Sequence, residues 1–303
     1  MRELIRRYGM GLSFAMVGLT AFWLLALVIL PNLGLLQFSF RPYLPVSELG
    51  GPLDHYTLKN YITFVGGDPE FYFLGIPVSI HLHIFVLTVV YSSVVTVICL
   101  AMCYPLAYYL AKVVKPSSAA TLFMLLLIPL WVSEILRSFA WYIVLSYQGP
   151  LNAILRGVGL SPIRWITGFN GVIIGLVYTY LLFMLFPIYN AISSLDSNQI
   201  EASQDLGAPL WRTHWRVVIP HSKPGIASGC VMVFMLSAGS VIVPSILASP
   251  GSRWFTQIIQ QWMFEGQDWN VGAAYAFLLL VLCTVFVSVV MRVLNVRLVD
   301  IAK

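Results

Sequence analysis

The charged positions of this chain are few and bunched, and the stretches between them mark out its elements. No Asp, Glu, Lys or Arg occurs from Tyr8 to Phe40, from Phe71 to Ala111, from Trp165 to Leu195, from Pro224 to Ser252 or from Trp269 to Met291. A further gap from Pro116 to Ser133 is interrupted by Glu134 and Arg137 and resumes from Ser138 to Leu155. Each run holds the roughly 20 apolar residues that a spanning helix needs. None shows the short alternating segments of a membrane barrel. The pattern predicts an all-α, polytopic membrane protein with six transmembrane helices, residues 1–303 forming a single transmembrane domain.

The connections differ in kind. Residues 38–77 make a long loop rich in Pro, Gly and aromatics, and 112–118 make a tight turn on the opposite side. Residues 148–167 are punctuated by Gly149-Pro150, Gly157 and Ser161-Pro162, turn signals all. They lie on the same side as 38–77, and the last loop of that outer side runs over 249–268. Six spans put both termini on one face of the membrane. That face collects Arg2, Arg6, Arg7, Lys112, Lys115, Arg212, Arg216, Lys223, Arg292, Arg297 and Lys303, against Arg41, Lys59, Arg137, Arg156, Arg164 and Arg253 on the other. Excess Lys and Arg mark the cytoplasmic side, so both termini are expected inside. Arg6 and Arg7 before an apolar run mimic a signal peptide. That run is nearly thirty residues long, beyond a signal core of about 7–15, and Leu30-Pro31-Asn32-Leu33 offers no cleavage pattern, so the first helix is expected to be retained.

Composition narrows the function classes. Of 303 residues, 59% are hydrophobic and 10% are charged, where a soluble domain carries about 25% charged. A disordered protein, a nucleic-acid binder and an ordinary soluble enzyme are excluded. The net charge of +5 reads as orientation, not as a nucleic-acid footprint. Cys99, Cys103, Cys230 and Cys283 all fall inside apolar runs. No second Cys or His pair completes a ligand set with Cys99 and Cys103, so they are expected to be buried and unpaired, with no metal. His81 and His83 point to different helix faces. No HExxH, GxSxG or phosphate-cradling Gly-rich loop with Lys occurs, so no catalytic residue is assigned and no cofactor is expected on this chain.

One inner loop, 196–225, is too long and too mixed for a linker. Asp196 or Ser197 can cap a short helix, Gly207 permits a turn, and Pro209 suits the first turn of a second helix. Pro220 and Pro224 are expected to end that helix before the fifth span. The segment reads either as an amphipathic helix lying on the membrane or as a docking surface for a cytoplasmic partner. Its residues resemble the EAA loop of ABC-importer permeases, whose pattern is Glu-Ala-Ala, three residues, Gly, nine residues, Ile-x-Leu-Pro. Here Glu201-Ala202-Ser203 is followed after three residues by Gly207, and after nine more by Val217-x-Ile219-Pro220. Ser203 stands where the pattern has Ala, and Val217 and Ile219 are small changes.

The resemblance extends over nearly the whole chain and is strongest to permeases of spermidine/putrescine-type importers. Tyr104-Pro105-Leu106-Ala107-Tyr108, Ile174-Gly175-Leu176-Val177-Tyr178 and Asp268-Trp269-x-x-Gly272-Ala273-Ala274 support it. It implies a type I ABC importer permease fold in the bacterial inner membrane. It implies a second permease, a paralogue, as partner, together with two ATPase subunits that carry ATP and magnesium, an extracytoplasmic binding protein and membrane lipid. The coupling residues it implies are Glu201, Ala202, Asp205, Leu206, Gly207 and Pro220. Glu201 and Asp205, four apart, share a helix face and would anchor to a partner's basic groups or to Arg212 and Arg216. Leu206 and Leu210 would add apolar contact.

Charges within membrane depth are costly and usually functional. Glu134 and Arg137 lie three apart on one helix face, and Trp141 extends it. At about 1.5 Å per residue from Pro116, Glu134 would lie about 27 Å along a continuous helix, near the outer interface. The two read either as an interfacial ion pair or as an outer gate or cargo contact. Tyr178 and Tyr180 join them as pathway candidates, with Tyr180, Phe183 and Pro187 on one stripe that is either packing or an aromatic face for an amine. Leu181-Leu182-Phe183 lacks the family's Leu-Pro-Phe step, and Ser240 occupies the place where polyamine-type permeases often carry an acid. The expected cargo is a polyamine or related amine, with an opine, thiamine or a phosphonate as alternatives. The alternative of another class is a channel or secondary transporter acting alone.

Overall fold

The computed structural model describes residues 6, 9–48, 50–52, 54–66, 71–73, 76–249 and 251–297. Its elements in order are α1 (Met10–Ser39), α2 (Lys59–Gly66), a short antiparallel pair β1 (Phe71–Phe73) and β2 (Ile76–Val78), then α3 (Ile80–Val113), α4 (Pro116–Leu127), α5 (Glu134–Leu145), α6 (Pro150–Gly157), α7 (Asn170–Ser193), α8 (Ser197–Asp205), α9 (Leu210–Ala238), α10 (Ile242–Leu247), α11 (Phe255–Gln260) and α12 (Trp269–Leu294). The pair β1–β2 aligns Phe71 with Val78 and Phe73 with Ile76. Apart from this pair, the described residues bear out the all-α expectation.

Five helices, α1, α3, α7, α9 and α12, are long and apolar enough to cross a membrane. The sixth expected span is not a straight helix. It passes only as a pair, Ser117–Trp131 with Glu134–Gly157, bent by 90° at the break. The cause is local. Pro129 lies in a 3-10 turn over Ile128–Trp131, and Val132 (ψ 134°) and Ser133 (ψ 141°) are extended. Glu134 therefore opens a new helix, and the rise counted from Pro116 gives no depth for it.

A second expectation fails at the prolines after the inner loop. Pro220 and Pro224 end no helix. The helix that starts at Leu210 runs unbroken to Ala238, with a π-turn at His214–Val218 just before Pro220. A π-turn carries one residue more per turn than an α-turn and rearranges the ladder in which proline lacks a donor. Similar turns occur at Leu25–Ile29 and Tyr109–Val113 within α1 and α3, and at Gln261–Glu265 after α11.

The chain divides into two compact units, Met1–Ser79 with Ile259–Leu278, and Ile80–Ile258 with Leu279–Lys303. In the first, two asparagines fasten the carbonyls at the C-terminal end of α1 and just after it. Asn60 Nδ2 donates to Ser39 O and Arg41 O, both at 3.0 Å, and Asn270 Nδ2 donates to Phe38 O at 3.1 Å and Arg41 O at 3.0 Å. Orphan carbonyls at a helix end need such donors. Arg41 pairs with Asp54 at 3.3 Å. Asp268 Oδ1 accepts from the backbone N–H groups of Asn270 and Val271 at 3.1 Å each. This is the N-cap that the Asp268-Trp269 stretch provides for α12.

In the second unit α7 packs against both α3 and α9, which also pack against each other. Cys99 and Cys103 of α3, Met184, Leu185 and Ile188 of α7, and Val233 of α9 are buried in the shared core. The helices approach closely at Gly225, where a Cβ atom would lie 2.6 Å from Ala191 Cβ. Small residues at a membrane helix crossing allow this. Cys103 Sγ reaches Leu181 O at 3.1 Å, tying α3 to α7. Cys99, Cys103 and Cys230 are buried and free. Cys283 is free but only half-buried, which corrects the expectation of burial for that residue.

Candidate cargo contacts and coupling loop

The right-angle break brings the pathway candidates together. As the first residue of α5, Glu134 has its side chain beside α7, and Tyr180 Oη donates to Glu134 Oε1 at 3.2 Å. Tyr180 is buried. Ser240 lies at the junction of α9 and α10 and is buried. One turn along α5 from Arg137, Trp141 meets Tyr178 edge to face, with ring centroids 5.3 Å apart. Glu134 with Tyr180 and Trp141 with Tyr178 thus pair across α5 and α7. No ion pair joins Glu134 to Arg137 among the described residues. Arg137 Nε and Ser240 Oγ are buried without a hydrogen-bond partner. A buried donor left in that state is costly unless something else satisfies it.

The aromatic stripe serves two places. Tyr180 reaches Glu134 and meets Phe183 edge to face, with ring centroids 6.2 Å apart, while Phe183 and Pro187 line a cavity of about 690 Å³ between α7 and α9. Asn190, Ser194, His221 and Ser228 also line it, with Ser194 Oγ and His221 Nε2 hydrogen-bonded at 3.1 Å. Charge gaps do not reveal this cavity, because none of its polar residues is an acid, Lys or Arg.

The inner loop has the expected shape. Asp196 caps α8 by accepting from Asn198 N–H at 3.0 Å. Gly207 adopts φ +78°, the left-handed region, with open space around it. Only Ile200 of α8 is buried. Glu201, Ala202, Asp205, Leu206, Gly207 and Pro220 are all exposed. Leu206 is 88% exposed and Leu210 64%, so both apolar side chains are presented outward. No ion pair links Glu201 or Asp205 to Arg212 or Arg216 among the described residues, and the Arg212 guanidinium instead lies 5.7 Å from the ring centre of its neighbour Trp211. Trp211 and Trp215 were not singled out by the motif, yet they are 62% and 66% exposed beside Leu210. Their spacing of four on a helix was the available signal.

The family model described as binding-protein-dependent transport system inner membrane component matches residues 1–300. The chain belongs to this family. It is the permease subunit of an ABC importer, an inner-membrane component. The spermidine/putrescine transport system permease protein PotB of Salmonella typhimurium is 32% identical to the permease over 285 residues, covering 92% of this chain and 94% of the relative. PotB of Escherichia coli is 32% identical over 272 residues, covering 89% and 93%. A solved bacterial ABC transporter that imports the acidic polysaccharide alginate superposes with a TM-score of 0.69, at 18% identity and 97% coverage of each chain. That likeness establishes the fold of the permease.

Proposed function

We propose that the permease forms one half of an inward pathway for a polyamine or related small amine, with both termini in the cytoplasm. Its partners in this reading are a second, paralogous permease, two ATPase subunits holding ATP and magnesium, and an extracytoplasmic binding protein. The chain then hydrolyses no ATP itself. The observation that carries the cargo reading is the Glu134 carboxylate, held by Tyr180 at the mouth of a broken span. The spermidine/putrescine permeases among its relatives support the same chemistry. A carboxylate fixed beside aromatic faces suits an alkylammonium group, which gains both charge pairing and ring contact. The coupling surface in this reading is the exposed face of α8 with Leu206, Gly207, Leu210, Trp211 and Trp215.

Transport of labelled spermidine by the reconstituted complex, with its binding protein, tests the proposal. Glu134→Gln keeps the Tyr180 contact but removes the charge, and uptake is expected to fall about tenfold, equivalent to about 1.4 kcal/mol. Complex assembly should be unchanged. Uptake at the parent rate would overturn the role of Glu134. A second reading is favoured by Arg137, whose buried Nε lacks an acceptor: a cargo bearing an anionic group, as an opine or phosphonate does. In that case Arg137→Gln, and not Glu134→Gln, abolishes uptake.

A further inference from the structure

The coupling loop is wired to one particular helix. Ser203 Oγ, on α8, lies 3.0 Å from Thr213 Oγ1 in the first turn of α9. Thr213 is buried, and its neighbour His214 opens the π-turn His214–Val218. His214 Nδ1 is hydrogen-bonded to Tyr104 Oη of α3 at 2.8 Å, and the Tyr108 ring packs edge-on to the imidazole with centroids 4.4 Å apart. An unbroken set of contacts therefore runs from the Glu-Ala-Ser segment to α3. The residue that departs from the Glu-Ala-Ala pattern, Ser203, supplies the hydroxyl that starts it.

The place where this set lands on α3 matters. Pro105 follows Tyr104 directly, and the π-turn Tyr109–Val113 begins one residue after Tyr108. Proline removes a ladder hydrogen bond and π-turns loosen it, so this is where a helix bends most readily. Just outward of it, Cys103 fastens α3 to α7 through Leu181 O. At its inner end Lys112 Nζ donates to Leu195 O. A displacement of α8 thus reaches α3 at its weakest section, with the part beyond Cys103 held against the core.

We propose that Ser203, Thr213, His214 and Tyr104 form the link by which movement of α8 is delivered to the inner end of α3. They act as positioning residues that couple ATP turnover to opening of the pathway. This rests on the importer reading above. A purely structural role would lower insertion or assembly. A coupling role instead changes the number of cargo molecules moved per ATP hydrolysed.

The experiment measures that ratio for the full complex in proteoliposomes, with labelled spermidine and its binding protein, alongside the yield of assembled complex. Tyr104→Phe removes only the hydroxyl, and His214→Phe keeps an aromatic ring without its nitrogens; each removes the hydrogen bond. Each is expected to lower the ratio about fivefold at unchanged assembly. The double variant is expected to be no worse than either single, because both remove the same contact. His214→Asn, whose amide reaches the position of Nδ1, is expected to recover at least half of the parent ratio. Parent ratios in Tyr104→Phe and His214→Phe would overturn the link while leaving the importer reading intact. So would losses that simply multiply in the double variant. Absence of spermidine-stimulated hydrolysis in the parent complex would overturn the polyamine reading, and with it the link as a coupling element for that cargo.

Discussion

Two glutamates in two breaks of the helical pattern show how burial changes what one residue type can do. Glu134 opens α5 after the bend at Val132 and Ser133, half-buried, and its carboxylate is held by Tyr180. Glu201 lies on the outer face of α8, exposed, in a helix that buries only Ile200. A carboxylate taken out of water needs a fixed partner, so Glu134 comes with buried neighbours already set around it. A carboxylate left in water pays no such penalty, so Glu201 is free to be claimed by another chain. The first arrangement recognises what passes through; the second recognises what docks from outside.

The comparison breaks most sharply at Gly207. Its φ of +78° disfavours a β-branched residue even though the surrounding space is open. An L-residue there costs about 1–2 kcal/mol. Gly207→Val is expected to cut cargo-stimulated ATP hydrolysis about twentyfold, whereas Gly207→Asn, which tolerates that conformation, should stay near the parent rate. Equal rates for the two variants would show that backbone conformation is not what matters. Next in size, Glu201→Lys should lower the ATPase that copurifies with the permease about tenfold while leaving its membrane insertion unchanged. Undiminished copurification would remove Glu201 from the docking face. The smallest effect belongs to the inward-facing site. Tyr180→Phe removes one hydrogen bond to a charged group, worth about 1.5–3 kcal/mol where fully made. At 3.2 Å and beside other polar neighbours, its loss is expected to reduce spermidine uptake about threefold with ATPase copurification unaltered. A loss of copurification would mean that the two regions are not separate in function.

Much of this division was legible in the chain. Gaps between charges found the apolar runs; the length and mixed composition of 196–225 singled out the loop, and the resemblance to the EAA pattern marked Glu201, Gly207 and Pro220 in it. Glu134, Arg137, Trp141, Tyr178, Tyr180 and Ser240 were legible only as a set of candidates; the pairing of Glu134 with Tyr180 and of Trp141 with Tyr178 belongs to the fold. The bend between α4 and α5 was missed because a gap between charges says nothing of direction. Pro129 was the visible warning, but whether a proline kinks, ends or merely decorates a helix depends on the turn that surrounds it. Pro220 and Pro224 show the opposite outcome, both carried within one continuous helix. Trp211 and Trp215 were passed over because a motif directs attention to its own letters.

The four π-turns among the described residues have a consequence for how the length of this chain can change. An α-helix advances about 100° per residue, so removing one residue from regular helix swings every later side chain to a different face. In α9, loss of a residue just after Ser222 would carry Gly225 and Gly229 away from α7, where both fit closely. A π-turn already holds one residue beyond the α-helical count. Taking one out of His214–Val218 can restore an ordinary turn and leave the remainder of α9 facing as before. Deletion of a single residue therefore has four sheltered addresses among the described residues, at Leu25–Ile29, Tyr109–Val113, His214–Val218 and Gln261–Glu265.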